Sequence, residues 1–126
     1  MTLLQAGRSA LFVDRDGTLM HDVGYIKDPE QVTLIPDAAA AVRRMNAAEW
    51  PVIVVTNQSG IARGMLTERD YAAVKGRLDT ELAEQGARID AHYFCPHHPD
   101  FGGACDCRKP GTALFDRAIA EHRSEE

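Results

Sequence analysis

Two aspartates separated by one residue are the side chains of this sequence best suited to do chemistry. Asp14 and Asp16 follow the apolar residues 10–13 and belong to the stretch D-R-D-G-T. Because side chains alternate along an extended chain, both carboxylates face one side if the chain stays extended as far as Asp16. One carboxylate can then attack an electrophile while the other moves protons. The alternative is an ordinary Asp/Gly turn that ends a strand, and the pair alone does not decide between the two.

A second polar stretch follows the next apolar run of the chain. Residues 52–55 read V-I-V-V, and T-N-Q-S-G comes directly after them. Parallel strands deliver such stretches to the same edge of a sheet, where ligands bind. Hydroxyls, amides and backbone N–H groups suit a phosphoryl group, whereas the alternative is an ordinary polar loop. The position of the stretch relative to Asp14 favours a shared site, with candidate binding residues Thr56, Asn57, Gln58 and Ser59.

All three cysteines fall within one short stretch that also holds a histidine. Cys95 and His97 form C-x-H, seven residues follow, and Cys105 and Cys107 form C-x-C. Four such ligands in one loop are typical of a closed tetrahedral zinc site, and thiolates argue against magnesium or calcium. Scattered reduced thiols are the alternative, which this density disfavours. We therefore expect a structural Zn²⁺ that holds the loop.

A basic pair, Arg108 and Lys109, follows the cysteine stretch. A lysine at this place would neutralise the charge that two aspartates and a phosphate accumulate. The alternative is a solvated basic pair before a helix, and the pair alone favours that alternative.

The candidate site residues are far apart in the sequence, and an alternation of strands and helices would bring them together. Apolar runs of strand length alternate with stretches of helical periodicity, which predicts an α/β fold with parallel strands and right-handed crossovers. Residues 18–35, interrupted by glycine and proline, predict a flap or hairpin over the site. The expected strands lie at residues 10–13, 52–55 and 91–94, the expected helices at 37–48, 67–84 and 112–123, and the cysteine loop at 95–108.

Composition sets the outer bounds of the function. A chain of 126 residues predicts one domain, and its net charge of −5 argues against nucleic-acid binding. An anionic substrate would then need local cations or a metal ion. No apolar run reaches membrane-spanning length, and no targeting segment is visible. An odd number of cysteines confined to one loop indicates the reducing cytoplasm rather than a disulfide framework.

Three stretches in this order carry a resemblance to a known family: D-R-D-G-T, T-N-Q-S-G-I-A-R-G, and C-P-H-H-P followed by C-D-C-R-K-P. From about residue 11 to residue 121 the chain resembles the haloacid dehalogenase (HAD) superfamily, and within it the heptose-bisphosphate and histidinol-phosphate phosphatases. The resemblance implies a three-layer, Rossmann-like core. It also implies Mg²⁺-dependent hydrolysis of a phosphorylated sugar through an aspartyl-phosphate, with heptose 1,7-bisphosphate the first substrate and histidinol phosphate the alternative.

The resemblance also implies roles for individual residues. Asp14 resembles the nucleophile and a Mg²⁺ ligand, and Asp16 resembles the general acid/base whose backbone carbonyl contacts the metal. Lys109 resembles the lysine that steadies the transferring group, and Arg108 a residue that recognises the substrate. Thr56 and Asn57 resemble the phosphoryl-binding pair. By the same resemblance, the flap residues that would contact the substrate are Asp22, Gly24 and Tyr25, and the residues that would bind Zn²⁺ are Cys95, His97, Cys105 and Cys107.

One departure from the family concerns its last acidic motif, a Gly-Asp at the end of a further strand. The sequence after Lys109 has room for one helix and offers no credible substitute. We therefore expect a fold that is incomplete at its C-terminus, with residues 10–13 forming an open edge. The chain would then be a fragment, a monomer with a poorly soluble edge, or a protein whose partner covers that edge. A non-catalytic, zinc-stapled remnant is the alternative to an enzyme.

Overall fold

The computed structural model describes residues 2–6, 8–97 and 113–123 and shows an α/β fold around a four-stranded sheet. Its strands, in their order across the sheet, are β1 (Thr2–Ala6), β2 (Arg8–Val13), β3 (Val52–Asn57) and β4 (Ala91–Cys95). The strands β2, β3 and β4 run parallel, with Phe12 opposite Ile53 and Val55 opposite Tyr93. These three strands confirm the predicted ones and extend each by one or two residues.

Of the described α-helices, one lies between β2 and β3, two lie between β3 and β4, and one follows β4. They are α1 (Ala38–Ala47), α2 (Ser59–Ala62), α3 (Glu68–Glu84) and α4 (Ala113–Arg123). Those that were predicted lie close to their predicted positions. Thr67 caps α3: its hydroxyl accepts the Asp70 N–H at 3.0 Å, and the Asp70 carboxylate accepts the Thr67 N–H at 2.9 Å. Only the four-residue α2 was not predicted, because it is too short to show a period. None of the described helices combines the length and the apolar character that a membrane-spanning helix needs.

Successive side chains of a strand point to opposite faces of the sheet, so the apolar residues of the strands form two cores, one on each face. One core joins alternate residues of β2 and β3 to α1 and α3, through side chains such as Val42 and Leu78. The other core joins the intervening strand residues to α4, through Leu114 and Ala118. Burying each such Val, Leu or Ile contributes about 1.5–3 kcal/mol relative to leaving it exposed. The predicted three-layer arrangement is therefore confirmed for the described part of the chain.

Residues 18–35 form the predicted flap, and its two ends are tied together. Met20 bridges Leu34 in antiparallel fashion, and the His21 N–H donates to the Thr33 carbonyl at 2.9 Å. A 3₁₀ turn at Pro29–Gln31 lies between the two ends. Ile26 and Val32 anchor the flap because both are buried in the core that contains α1 and α3. The flap is thus a hairpin-like excursion with a fixed base.

The edge beside β2 corrects one expectation. We expected residues 10–13 to form an open edge, but β1 pairs antiparallel with β2 along five residue pairs from Thr2–Phe12 to Ala6–Arg8. The sheet is therefore mixed rather than wholly parallel. Residues 2–6 are too few to show a clear period, and strand formation in so short a segment depends on the available neighbour. A pairing partner within the same chain fills the edge that the sequence analysis left open.

Candidate active site

A pocket of about 360 Å³ opens where β2 and β3 end, at the carboxyl edge of the sheet. Its lining comes from the turn after β2, from the flap and from the turn after β3. Every residue of this lining except Gly60 is a candidate site residue of the sequence analysis. The described residues that line the pocket are Asp16, Asp22, Gly24, Tyr25, Asn57, Gln58, Ser59 and Gly60.

Gln58 links the turn after β2 to the last residues of β3 and β4. Its side-chain amide donates to Asp16 Oδ2 at 3.3 Å and to the buried Thr56 Oγ1 at 3.0 Å. Its backbone N–H donates to the Cys95 carbonyl, at the end of β4, at 2.7 Å. These bonds hold the Asp16 carboxylate and the Thr56 hydroxyl in fixed positions relative to each other.

Asp14 directly follows β2 and has an exposed side chain, with Oδ1 accepting the Arg15 N–H at 3.2 Å. The chain does not stay extended as far as Asp16, because β2 ends at Val13 and the Arg15 carbonyl accepts the Leu19 N–H at 2.9 Å. Asp16 lines the pocket, whereas Asp14 is not among its described lining residues. The nucleophilic role of Asp14 stays a prediction.

The flap contacts α2 through an aromatic side chain. A Cβ added to Gly60 would lie 2.8 Å from Cδ1 of Tyr25 and 2.4 Å from Cδ2 of Leu66, so only glycine fits between them. The Arg63 guanidinium lies 6.0 Å from the centroid of the Tyr25 ring. Asp22 Oδ1 accepts the Gly24 N–H at 3.0 Å and stabilises the turn before Tyr25. The three predicted flap residues therefore sit on the same wall of the pocket.

Arg15 is a candidate functional residue that our sequence analysis missed. Its side chain is only 1% exposed, with Nε 3.0 Å from Asp16 Oδ1 and Cζ 5.5 Å from the Tyr71 ring centroid. Burial raises the pKa of Tyr71 to about 12, although the nearby Arg15 guanidinium acts in the opposite direction. The sequence did carry a signal: an arginine at the end of a buried strand needs an acceptor close by.

Two of the four predicted zinc ligands lie within the described residues, and they are close together. Cys95 Sγ is 3.6 Å from His97 Nδ1. A tetrahedral Zn²⁺ with usual Zn–S and Zn–N bond lengths sets these two atoms about 3.6 Å apart. Across residues 2–6, 8–97 and 113–123, no group of three or more His, Cys, Asp or Glu side chains could hold a metal ion. The predicted residues Cys105, Cys107, Arg108 and Lys109 lie outside the described residues.

Comparison with known proteins finds relatives that carry the name of one kind of phosphatase. The chain is 43% identical over 120 residues to the D-glycero-beta-D-manno-heptose-1,7-bisphosphate 7-phosphatase of Rhodopseudomonas palustris, covering 91% of this chain and 67% of that protein. A search against protein-family models found no match. Across eight curated relatives with similar names, the chain spans 58% to 76% of their length.

Solved structures give the same result. A candidate HAD-like phosphatase of Mesorhizobium loti superposes with a TM-score of 0.86 at 38% identity, covering 89% of this chain and 56% of that one. The D,D-heptose 1,7-bisphosphate phosphatase of B. bronchiseptica, solved with magnesium and phosphate, superposes with a TM-score of 0.81 at 35% identity. That match covers 91% of this chain and 63% of the other.

Proposed function

The chain belongs to the heptose-bisphosphate phosphatase family of the HAD superfamily, and from this membership we propose that it hydrolyses a phosphate ester of a sugar. The substrate we propose is D-glycero-D-manno-heptose 1,7-bisphosphate, from which the 7-phosphate is removed. The chain spans 58% to 76% of the length of its curated relatives. The activity that those whole proteins are named for is therefore part of the proposal.

The observation that carries the proposal is the shared pocket after β2 and β3. A carboxylate from the first turn, amide and hydroxyl groups from the second turn, and an aromatic flap residue line the same 360 Å³ space. An acid/base group must lie beside the groups that bind the phosphate for a phosphoryl transfer to proceed. The Gln58 bridge between Asp16 and Thr56 supports this placement.

The reaction that we assign to these residues has two displacements. A carboxylate oxygen of Asp14 forms a bond to phosphorus while the bond from phosphorus to the sugar oxygen breaks. Asp16 gives its proton to that leaving oxygen, so the sugar departs as an alcohol. Asp16 then takes a proton from water, whose oxygen attacks the aspartyl-phosphate and releases phosphate with Asp14 restored. Two easier steps replace one hard hydrolysis.

Charge repulsion is the obstacle to this reaction, because a carboxylate must approach a phosphate dianion. A carboxylate oxygen of Asp14 and the backbone carbonyl oxygen of Asp16 are donors of the kind that Mg²⁺ prefers, and we assign them as its ligands. When bound, Mg²⁺ would neutralise part of the charge on the transferring group. We assign Lys109 to the same task and Arg108 to recognition of the substrate. Thr56 and Asn57 would bind the phosphoryl oxygens, together with Gln58 and Ser59.

We also propose that Cys95, His97, Cys105 and Cys107 hold a structural Zn²⁺. The separation of 3.6 Å between Cys95 Sγ and His97 Nδ1 supports this ligand set. A bound Zn²⁺ would fix the loop that leads to Arg108 and Lys109, which must reach the pocket. Reduced thiols suit a cytoplasmic location, and we treat residues 1–126 as a single phosphatase domain.

Phosphate release from heptose 1,7-bisphosphate in the presence of Mg²⁺ tests the proposed function. We expect turnover by the chain and at least a 100-fold loss in Asp14→Asn, because an amide is not a competent nucleophile (about 10²-fold or more for such groups). Asp37→Asn is the matched control, since Asp37 is exposed and its side chain makes no cap hydrogen bond. It should keep full activity.

Two outcomes separate the proposed function from its alternatives. Faster turnover of histidinol phosphate than of the heptose substrate would assign the chain to the other phosphatase branch. No release from either substrate, with the fold intact, would favour a non-catalytic protein. Equal release by the wild type and Asp14→Asn would exclude Asp14 as the nucleophile.

A further inference from the structure

We propose that Arg15 is a positioning residue, which determines which carboxylate oxygen of Asp16 carries the transferable proton. The inference rests on the proposed function, because it assigns Arg15 a task in the proton transfer by Asp16. It arises from the contacts of a buried charged side chain that no other part of the reaction uses.

The guanidinium of Arg15 donates two hydrogen bonds to the carboxylate of Asp16. Nε lies 3.0 Å from Oδ1 and Nη2 lies 3.3 Å from Oδ2, so the planar guanidinium faces the planar carboxylate. The Arg15 side chain is 1% exposed and that of Asp16 is 23% exposed. Such a two-point contact fixes the orientation of the carboxylate as well as its position.

Gln58 completes the set of donors around Asp16. Its Nε2 lies 3.3 Å from Oδ2, the oxygen that Nη2 of Arg15 also contacts. A carboxylate offers about four acceptor positions, two on each oxygen. Both positions on Oδ2 are therefore taken by described residues, and one position on Oδ1 remains. A proton on Asp16 must then reside on Oδ1, and Asp16 itself lines the pocket.

The surroundings of Arg15 hold the guanidinium in place at a cost in stability. Its Cζ lies 5.5 Å from the Tyr71 ring centroid, and that ring stacks on Phe94 with centroids 4.2 Å apart. Nη1 of Arg15 is buried and has no hydrogen-bond partner among the described residues. A buried ion pair with an unmet donor adds little to stability compared with well-packed apolar groups. Its contacts with Asp16 are therefore better explained by catalysis than by folding.

The proposal predicts an effect that depends on the leaving group. Breaking the bond to a sugar oxygen requires a proton from Asp16, whereas 4-nitrophenolate leaves without one. The constant kcat/KM reports only the steps up to the first phosphoryl transfer, so it isolates this proton transfer. Arg15→Met should therefore lower kcat/KM for heptose 1,7-bisphosphate by about 100-fold, the usual size of one general-acid contribution. For 4-nitrophenyl phosphate it should change by less than about threefold, since proton transfer contributes little there.

The comparison uses matched variants of the full chain. Arg77→Met is the control, because Arg77 is exposed on α3 and pairs only with Glu81 at 2.8 Å among the described residues. It should leave both values of kcat/KM unchanged. Arg15→Lys serves if Arg15→Met does not fold, since a lysine keeps the charge but offers a single point of contact. It should show the same selective loss.

Equal losses with both substrates in a folded Arg15 variant would overturn the positioning role. An NMR measurement that does not depend on turnover separates failure of the positioning role from failure of the proposed function. The Arg15 Nε–H should give a ¹H–¹⁵N NMR signal that is protected from exchange with water and that shifts in Asp16→Asn. Absence of that protection would overturn the contact itself. A protected signal without phosphate release from either substrate would instead refute the proposed function, and the catalytic task of Arg15 with it.

Discussion

Tyr71 is a buried residue that carries a polar group. Its hydroxyl is buried and has no hydrogen-bond partner among the described residues, while its ring lies between Phe94 and the Arg15 guanidinium. The ring contributes packing, and the hydroxyl contributes only the cost of its lost hydration. At neutral pH we therefore expect Tyr71→Phe to be as stable as the wild type or slightly more stable.

The pH dependence of stability gives Tyr71→Phe a sharper test. Burial raises the pKa of Tyr71 to about 12 in the folded chain, against an ordinary value near 10. The folded state thus favours the neutral phenol, and this contribution is constant below pH 10 and is lost between pH 10 and pH 12. Urea unfolding at pH 9 and pH 11 should show a smaller loss of stability in Tyr71→Phe.

Tyr93 provides an internal reference for this measurement. Burial, with the hydrogen bond to Glu121, raises the pKa of Tyr93 to about 12, and this effect persists in both proteins. Tyr71→Phe should therefore still lose part of its free energy of unfolding above pH 10. If the free energy of unfolding fell equally in the wild type and in Tyr71→Phe between pH 9 and pH 11, the burial of the Tyr71 hydroxyl would be contradicted.

Among the elements, the flap and α2 contact each other at the wall of the pocket. A Cβ on Gly60 would stand 2.4 Å from Leu66 Cδ2 and 2.8 Å from Tyr25 Cδ1, so both side chains must move in Gly60→Ala. Such overpacking costs about 1–3 kcal/mol. We expect a lower melting temperature and a raised KM, since Tyr25 belongs to the wall of the pocket.

Gly76→Ala is the matched control for this prediction. Gly76 lies inside α3, and a Cβ there would meet nothing within 4 Å. Alanine favours a helix over glycine by up to about 1 kcal/mol, so this variant should melt higher and keep its KM. A Gly60→Ala variant that behaved like Gly76→Ala would refute the packing of Tyr25 on α2.

The stretch after β4 is the second element with a specific test. If Zn²⁺ binds Cys95 and His97 with the cysteines further along the loop, a strong chelator should lower the melting temperature. A loss of about 1 kcal/mol corresponds to a fall of about 3–6 °C for a chain of this size. Differential scanning fluorimetry with metal analysis measures both the fall and the metal content.

Cys95→Ser controls for effects of the chelator unrelated to Zn²⁺. This variant should melt below the wild type and respond little to chelation, because one ligand is already absent. An unchanged melting temperature of the wild type after proven metal loss would contradict a structural Zn²⁺.

The elements differ in how far the sequence could predict them. α3 was predictable in its bounds, cap and buried face, because seventeen residues show a clear period and Thr67 and Asp70 form a capping box. β1 and α2 were not, since five and four residues carry too little pattern. The two hydrogen bonds from Arg15 to Asp16 depend on the turn after Val13, and no local sequence rule specifies that turn.

For the whole molecule, topology explains why most pocket residues could be predicted. The carboxyl ends of β2 and β3 must meet because the strands are parallel neighbours, so polar residues after each strand share one edge. The same rule could not foresee β1, whose antiparallel pairing with β2 depends on the edge that the rest of the fold leaves open. The mixed sheet is thus a property of the assembled molecule rather than of any one segment.

The central claim is that the pocket after β2 and β3 performs phosphoryl transfer through Asp14. Acid-quenched mass spectrometry of the Asp16→Asn variant, mixed with 4-nitrophenyl phosphate and Mg²⁺, tests it most directly. That leaving group needs no proton, whereas hydrolysis of the aspartyl-phosphate lacks its base, so the intermediate should accumulate. The account predicts one phosphoryl group on the peptide that contains Asp14, and none when Asp14 is also replaced by asparagine. Labelling that persisted without Asp14, or no labelling in the folded Asp16→Asn variant, would contradict it.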